Sequence, residues 1–157
     1  MSQITGPLAP SINDGPFSEA YILIADKREI IRSISAGGVT PDTPFHAGSL
    51  KEAICTSFCM MVLTADKGLS LNAPVAKYIP AFGEEGKDKV SLKQLLKHTS
   101  GLASTRPYMR AGLPAESVLE KICYEELEYP PAFERKKSEL GYFVLESIVQ
   151  KLAGKPM

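Results

Sequence analysis

Residues 45–71 read FHAGSLKEAICTSFCMMVLTADKGLSL, and the rest of the chain is organised around this stretch. A long apolar run starts after Ser49 and ends at Gly68, which predicts a core helix. Ser49 stands at the N-terminal end of that helix, where a serine side chain can accept hydrogen bonds from free backbone N–H groups. A serine there also lies in the field of the helix dipole and can act as a nucleophile. The pattern alone leaves both roles open.

Length, composition and charge restrict the class of protein. A chain of 157 residues with 44% hydrophobic and 23% charged residues predicts a single globular domain over residues 1–157. The 18 Lys and Arg balance the 18 Asp and Glu, so the formal net charge of +0 argues against nucleic acid or an anionic membrane as partner. No apolar segment is long enough to cross a bilayer, and the N-terminus lacks a basic, apolar leader. We therefore expect a cytoplasmic protein.

Cysteine and histidine usage predicts neither a metal site nor a cofactor. Cys55 and Cys59 lie four residues apart on one face of the core helix, and we expect buried thiols there rather than a metal pair. His46 and His98 are the only histidines, and neither has a suitably spaced His or Cys companion.

The segments on either side of the core helix predict one β-hairpin followed by helices. The apolar run 20–25 predicts a buried strand, and residues 29–35 predict a second strand beyond a short turn. A two-stranded sheet is marginal by itself, so we expect an α+β fold whose sheet is incomplete in this chain. Further helices are predicted over residues 91–98, 115–124 and 138–153, with Ser91 as an N-cap and Gly154 as a C-cap.

Four pieces of the sequence, in this order, resemble the serine β-lactamase and penicillin-binding-protein superfamily, in its class C-like and esterase branch. They are FHAGSL before the apolar helix, GLSLNAPVAKYIPAF, SLKQLLKHTSGL and SELGYFVLESIVQKLAGKP. HTSGL and APVAKYIP are the specific parts, because neither follows from composition or helical period. The resemblance, over residues 20–156, implies the hairpin and helical region of a β-lactamase/transpeptidase-like fold. The family's C-terminal strands and helix have no counterpart in these residues.

The resemblance also assigns catalytic positions. Members use a nucleophilic Ser with a Lys three residues on, a Tyr-x-Asn or Ser-x-Asn element and a Lys-Thr-Gly or His-x-Gly strand. Ser49 matches the nucleophile position, and Glu52 stands at the Lys position. Counted from Tyr142, Lys137 stands at the Tyr position and Glu139 at the Asn position. The third motif has no match in these residues.

These replacements favour a cap over a nucleophile for Ser49, because a serine hydroxyl is too weakly acidic to react without a base. Lys51 lies about 200° round the helix from Ser49 and is expected to point away from it. Glu52 is a poor base, since a carboxyl group has a reference pKa of about 4.3. In the family the corresponding Lys and Tyr face each other, so one hypothesis is a Glu52–Lys137 salt bridge that fills the old catalytic cleft. The alternative is two unrelated surface charges.

The function expected from these residues is that of a degenerate β-lactamase-like protein, which does not turn over acyl substrates. It would bind a ligand, a partner or a second copy of itself through the open sheet edge. The alternative is an active esterase, β-lactamase or D-alanyl peptidase that uses Ser49 to form an acyl-enzyme with a small acyl compound. His98, in the HTSGL turn, is expected to satisfy backbone groups rather than to act as a base.

Overall fold

The chain divides into two compact units in the computed structural model, which describes residues 17–155. The first unit ends at His46 and the second begins at Ala47. The expected single domain over residues 1–157 stays a prediction.

The first unit contains the predicted hairpin. Strand β1, Ala20–Ala25, pairs antiparallel with strand β2, Ile30–Ala36, and the register shifts near the turn, between Ile24 and Ala25. The turn is closed by Asp26, whose carboxylate accepts hydrogen bonds from the N–H groups of Arg28 and Glu29 at 2.7 and 2.9 Å. Such side-chain bonds to nearby backbone are the reason that Asp favours turns.

The prediction that β1 is buried was wrong. Leu23 and Ile24 are 48% and 46% exposed, and Ile31 of β2 is 63% exposed. The sheet has two strands within residues 17–155, so each strand has one hydrogen-bonded neighbour instead of two. The expected α+β fold with an incomplete sheet is confirmed.

The core helix is continuous from Leu50 to Lys67 and changes type along its length. The stretch Glu52–Ser57 is π-helical, and helix α1, Phe58–Lys67, follows it directly. Within the π-helical stretch the Ser57 hydroxyl donates to the Glu52 carbonyl at 2.9 Å. Gly68 ends the helix in the left-handed conformation, with φ +63°, which favours glycine. The sequence predicted this helix and its end but not its wider first half.

Three more α-helices complete the second unit: α2, Leu92–Leu96; α3, Ala115–Cys123; and α4, Glu139–Ala153. Short 3₁₀ turns lie at Val75–Lys77, Pro80–Gly83 and Pro107–Arg110. Both predicted caps are confirmed. Ser91 forms a capping box with Gln94, and Gly154 ends α4 with φ +67°. Within residues 17–155, none of the helices combines the length and apolar character that crossing a bilayer requires.

The core of the second unit forms around α4. Leu140, Val144, Leu145 and Ile148 are fully buried, and α1 contributes Met60 from one of its faces. The opposite side of the core helix is exposed. The expected burial of Cys55 was therefore wrong, because this thiol is exposed, whereas Cys59 is half-buried and packs against the core.

Candidate functional site

Ser49 is exposed and immediately precedes the first helical residue. The expected N-cap is not formed, because the Ser49 hydroxyl makes no hydrogen bond with any residue that the structure describes. The physical reason lies in the preceding backbone. The N–H groups of Leu50, Lys51 and Glu52 already donate to the carbonyls three residues back, at 3.0, 3.4 and 3.1 Å. The donors that a cap would satisfy are thus occupied, and the hydroxyl faces solvent.

Glu52 and Lys137 form the ion pair that the sequence suggested. Glu52 Oε2 lies 3.7 Å from Lys137 Nζ, so the hypothesis of a salt bridge between these two positions is confirmed. Glu52 is only 8% exposed, whereas the Lys137 side chain is about half exposed. The Lys137 ammonium group therefore approaches the largely buried Glu52 carboxylate from the solvent side and balances its charge.

Lys51 is held away from Ser49. Its Nζ lies 3.1 Å from Glu146 Oε1 on α4, as its angular position on the helix predicted. The buried Thr56 hydroxyl donates to the same carboxylate oxygen at 3.3 Å. Both amines that sequence reasoning considered for this site, Lys51 and Lys137, are thus paired with carboxylates.

Glu139, at the family Asn position, bonds elsewhere. Its carboxylate accepts a hydrogen bond from the Thr105 hydroxyl at 2.9 Å, and its N–H donates to the Ser104 carbonyl at 2.8 Å. Of the three replaced family positions, the structure joins Glu52 to Lys137, while Glu139 bonds to the loop that precedes the 3₁₀ turn Pro107–Arg110.

The HTSGL turn, residues 98–102, places Lys137. Its carbonyls accept from three N–H groups of the following segment, among them Lys136 N–H to the His98 carbonyl at 3.0 Å. On the other side of Lys137, the Ser138 N–H donates to His98 Nδ1 at 3.2 Å. The expectation that His98 satisfies backbone groups is confirmed. His98 has φ +57°, and its ring lies 4.9 Å from that of Tyr142.

Two hydroxyl groups near this site were missed by the sequence analysis. Tyr142 Oη lies 3.1 Å from Ser57 Oγ and donates to the Leu96 carbonyl at 3.2 Å. One pattern in the sequence indicated that Tyr142 and Glu146 lie near each other, because they are four residues apart and share a face of α4. Their partners Ser57 and Thr56 lie in the π-helical stretch of the core helix, and no comparable pattern indicated that stretch.

Burial lowers the pKa of His98 below its usual 6.5, and the cations Lys137 and Arg135 lower it further, while the Glu52 carboxylate opposes them. The imidazole is therefore neutral at pH 7, with Nδ1 as acceptor. Neither its hydrogen bond nor its ring contact involves Ser49.

The lowered pKa of His98 predicts a pH dependence of stability. The unfolded chain binds this proton more tightly than the folded one. Stability is therefore fully present above the ordinary value of 6.5 and is lost as the pH falls through that value toward the lower folded pKa. We expect His98→Asn to flatten this slope, because the Asn amide does not titrate in this range. Asn fits the position, since it tolerates positive φ and keeps an acceptor for the Ser138 N–H. Urea unfolding midpoints between about pH 5 and pH 8 measure it. An unchanged slope in His98→Asn would contradict the assignment.

The polar groups of this region form closed pairs rather than an open catalytic set. A lysine ammonium group carries three N–H donors and no lone pair, so in these ion pairs neither Lys51 nor Lys137 is an acceptor for a serine proton. Within the described part of the chain, no group of three or more His, Cys, Asp or Glu side chains is placed to hold a metal ion.

Comparisons with known proteins agree on one family. A family model described as beta-lactamase matches residues 11–157. The N-acetylmuramyl-L-alanine amidase of Bacillus subtilis (strain 168) is 29% identical over 128 residues, which cover 73% of this chain and 29% of that protein.

Solved structures show the same fold. The class C beta-lactamase from Rhodobacter sphaeroides has a TM-score of 0.73 at 19% identity, covering 94% of this chain and 43% of that one. The beta-lactamase/D-alanine carboxypeptidase from Pseudomonas syringae also has a TM-score of 0.73, at 20% identity, with 88% and 40% covered. This chain thus spans less than half the length of each of these three proteins.

Proposed function

Because the chain belongs to the beta-lactamase family, we propose that it is a degenerate member, whose Ser49 hydroxyl is not activated and which does not hydrolyse acyl compounds as it stands. The observation that carries this proposal is the Glu52–Lys137 ion pair at 3.7 Å. In members of the family, by the resemblance, the position of Glu52 holds the Lys that takes the serine proton, and the position of Lys137 holds the Tyr that faces that Lys.

Two further contacts support the proposal. Lys51, the other amine close to Ser49 in sequence, is held by Glu146 at 3.1 Å. The Ser49 hydroxyl itself has no hydrogen-bond partner among residues 17–155, so no described group is positioned to take its proton. An isolated serine hydroxyl has the reactivity of an ordinary alcohol, because general-base catalysis contributes about 10²–10⁴ in rate.

An active hydrolase is the competing function. Its support is the exposure of Ser49 at a helix start, together with relatives whose names are amidase and beta-lactamase/D-alanine carboxypeptidase. In that case Ser49 would form an acyl-enzyme with an amide, a peptide or a β-lactam, and the base would be a group outside the family set.

Covalent labelling separates the two functions. A fluorophosphonate probe, a chromogenic β-lactam and a short-chain p-nitrophenyl ester are each incubated with the wild type and Ser49→Ala. Ser70→Ala, at another exposed serine, is the matched control. We expect the three proteins to react at the same rate, within about twofold, because Ser49 without a base reacts no faster than any other serine. An active base would raise the rate of the wild type by at least about 10². Labelling of the wild type that Ser49→Ala abolishes and Ser70→Ala retains would establish the active hydrolase instead.

Restoring the family residues tests the same point in the opposite direction. In the double variant Glu52→Lys, Lys137→Tyr, an amine stands three residues after Ser49 without a facing cation. We expect fluorophosphonate labelling at Ser49 to rise by about tenfold or more, since part of the general-base contribution returns. Adding Ser49→Ala should remove the gain. No gain in a folded double variant would show that the missing base is not what limits Ser49.

A further inference from the structure

Lys87 lies in the core of the second unit although its side chain can carry a charge. Its exposed fraction is 0%, and its ammonium group donates a hydrogen bond to the backbone carbonyl of Glu125. The same group lies 5.7 Å from the centroid of the Phe82 ring. Within residues 17–155, none of the ion pairs includes Lys87. A lysine is almost never fully buried unless it is paired, so this position calls for an explanation.

The C-terminal end of α3 supplies part of that explanation. Helix α3 ends at Cys123, two residues before Glu125, and the last carbonyls of a helix have no partners within it. A cation near this end can bond such carbonyls and interacts favourably with the helix dipole. Burial nevertheless lowers the pKa of Lys87, while nearby Cys123 and acidic residues oppose this shift. The ammonium group is thus costly to bury, and the bond to Glu125 is the contact that it supplies to the fold.

Glu125 is also the first member of a row of ion pairs that ends beside Lys137. Its carboxylate accepts a hydrogen bond from Arg106 Nε at 3.0 Å. Arg106 Nη1 lies 3.2 Å from Glu128 Oε1, and Lys136 Nζ lies 2.8 Å from Glu128 Oε2. The side chains of Arg106, Glu128 and Lys136 are between 32% and 43% exposed, so water weakens these pairs.

We propose that Lys87 is a positioning residue for Lys137. By holding the Glu125 carbonyl, it fixes the direction in which the chain leaves α3 and keeps the following segment bonded to the HTSGL turn. The buried bond acts where water is excluded, so it restrains this segment more strongly than the exposed ion pairs do. Lys137 is thereby presented to Glu52. This role does not depend on the reactivity of the serine, so its failure would leave the proposed function untouched.

Hydrogen exchange of backbone amides, followed by NMR, tests this role in Lys87→Met, which removes the charge and the donors but keeps a side chain of similar length. The fold should persist, because an apolar residue in place of a buried charge is often neutral. The reporters are the N–H groups of Lys136 and Ser138, which both donate to His98. We expect both to exchange at least about tenfold faster than in the wild type, with the amides of α4 within about threefold. A general loss of stability would instead accelerate all of them by the same factor.

The pKa of His98 reports the position of Lys137. Burial lowers this pKa, the Glu52 carboxylate raises it, and the cations Lys137 and Arg135 lower it further. If Lys137 moves away in Lys87→Met, the pKa of His98 should therefore rise. A proton NMR titration of the chain's two histidine rings measures it. An unchanged pKa of His98 would overturn the proposal, because Lys137 would then have kept its place.

Two further variants complete the test. Lys121→Met makes the same substitution at an exposed lysine of α3 and should change neither measurement. Lys87→Gln keeps an N–H donor without the charge and should accelerate the same amides less, by about threefold. A folded Lys87→Met with unchanged exchange at Lys136 and Ser138 would contradict the role. So would loss of the whole fold in both Lys87 variants, because Lys87 would then support the entire core rather than this segment.

Discussion

Gly101→Ala is expected to lower the free energy of unfolding by about 3–5 kcal/mol, because backbone strain and steric overlap add at this position. Gly101 has φ +89°, where a side chain is strained, and a Cβ there would overlap the carbonyl oxygen of Tyr129. That carbonyl cannot simply move away. Glu128 N–H donates to the Gly101 carbonyl and Ala132 N–H to the Thr99 carbonyl, both at 2.8 Å, so the two segments are bonded on either side of the overlap.

Gly112→Ala is the matched control for this prediction. Gly112 also has positive φ, +67°, but a Cβ there would meet nothing within 4 Å. Its cost should therefore be the conformational term alone, about 1–2 kcal/mol. Urea unfolding followed by circular dichroism measures both variants. If Gly101→Ala cost no more than Gly112→Ala, the close approach of the two segments, and with it the placement of Lys137, would be wrong.

Glu52→Lys is expected to cost about 2–4 kcal/mol, because it replaces a largely buried carboxylate by an ammonium group that faces Lys137. Glu52 is 8% exposed, so the new charge cannot be fully solvated in its place. The ion pair itself contributes much less, about 0–1 kcal/mol, since the Lys137 side chain is about half exposed and its charge is screened by water. Most of the expected loss is thus repulsion and desolvation rather than a lost attraction.

A charge-exchanged double variant identifies the cause of the loss. Glu52→Lys, Lys137→Glu should recover at least about half of the stability that Glu52→Lys loses, since opposite charges again face each other. Glu126→Lys makes the same change of charge at an exposed position and should stay within about 0.5 kcal/mol of the wild type. Equal losses in the single and double variants would mean that Lys137 does not contact position 52 in solution.

Local sequence signals identified the elements of this fold well. The ends of the core helix and of α4 carry glycines that adopt the left-handed conformation, and Ser91 forms its capping box as predicted, because caps depend only on residues within one turn. The hairpin has the same origin, since Asp26 closes its turn through its own side chain. Burial, in contrast, does not depend on neighbouring residues in the sequence alone. The burial of Leu23 and Cys55 was predicted from apolar runs, and such a run does not tell which of its sides other residues cover.

The Glu52–Lys137 pair was predicted only as one of two alternatives, because its formation depends on contacts between distant parts of the chain. The two residues are 85 positions apart, and their meeting requires the HTSGL turn to bond both sides of Lys137 while the helix presents Glu52 on its inner face. The capping role predicted for Ser49 failed for a related reason. The N–H groups it would have accepted from were taken by carbonyls just before the helix, and a residue pattern does not reveal such competition.

By itself, the sequence determined which segments form helices and strands, where each one stops, and that Glu52, Lys137 and Glu139 stand where the family has Lys, Tyr and Asn. These properties follow from backbone preferences and residue order, which act over a few positions. Only the tertiary structure decided that the Ser49 hydroxyl faces solvent and that both nearby amines are held by carboxylates. Those outcomes depend on which distant groups meet and compete for the same partner, and such competition is settled when the chain packs.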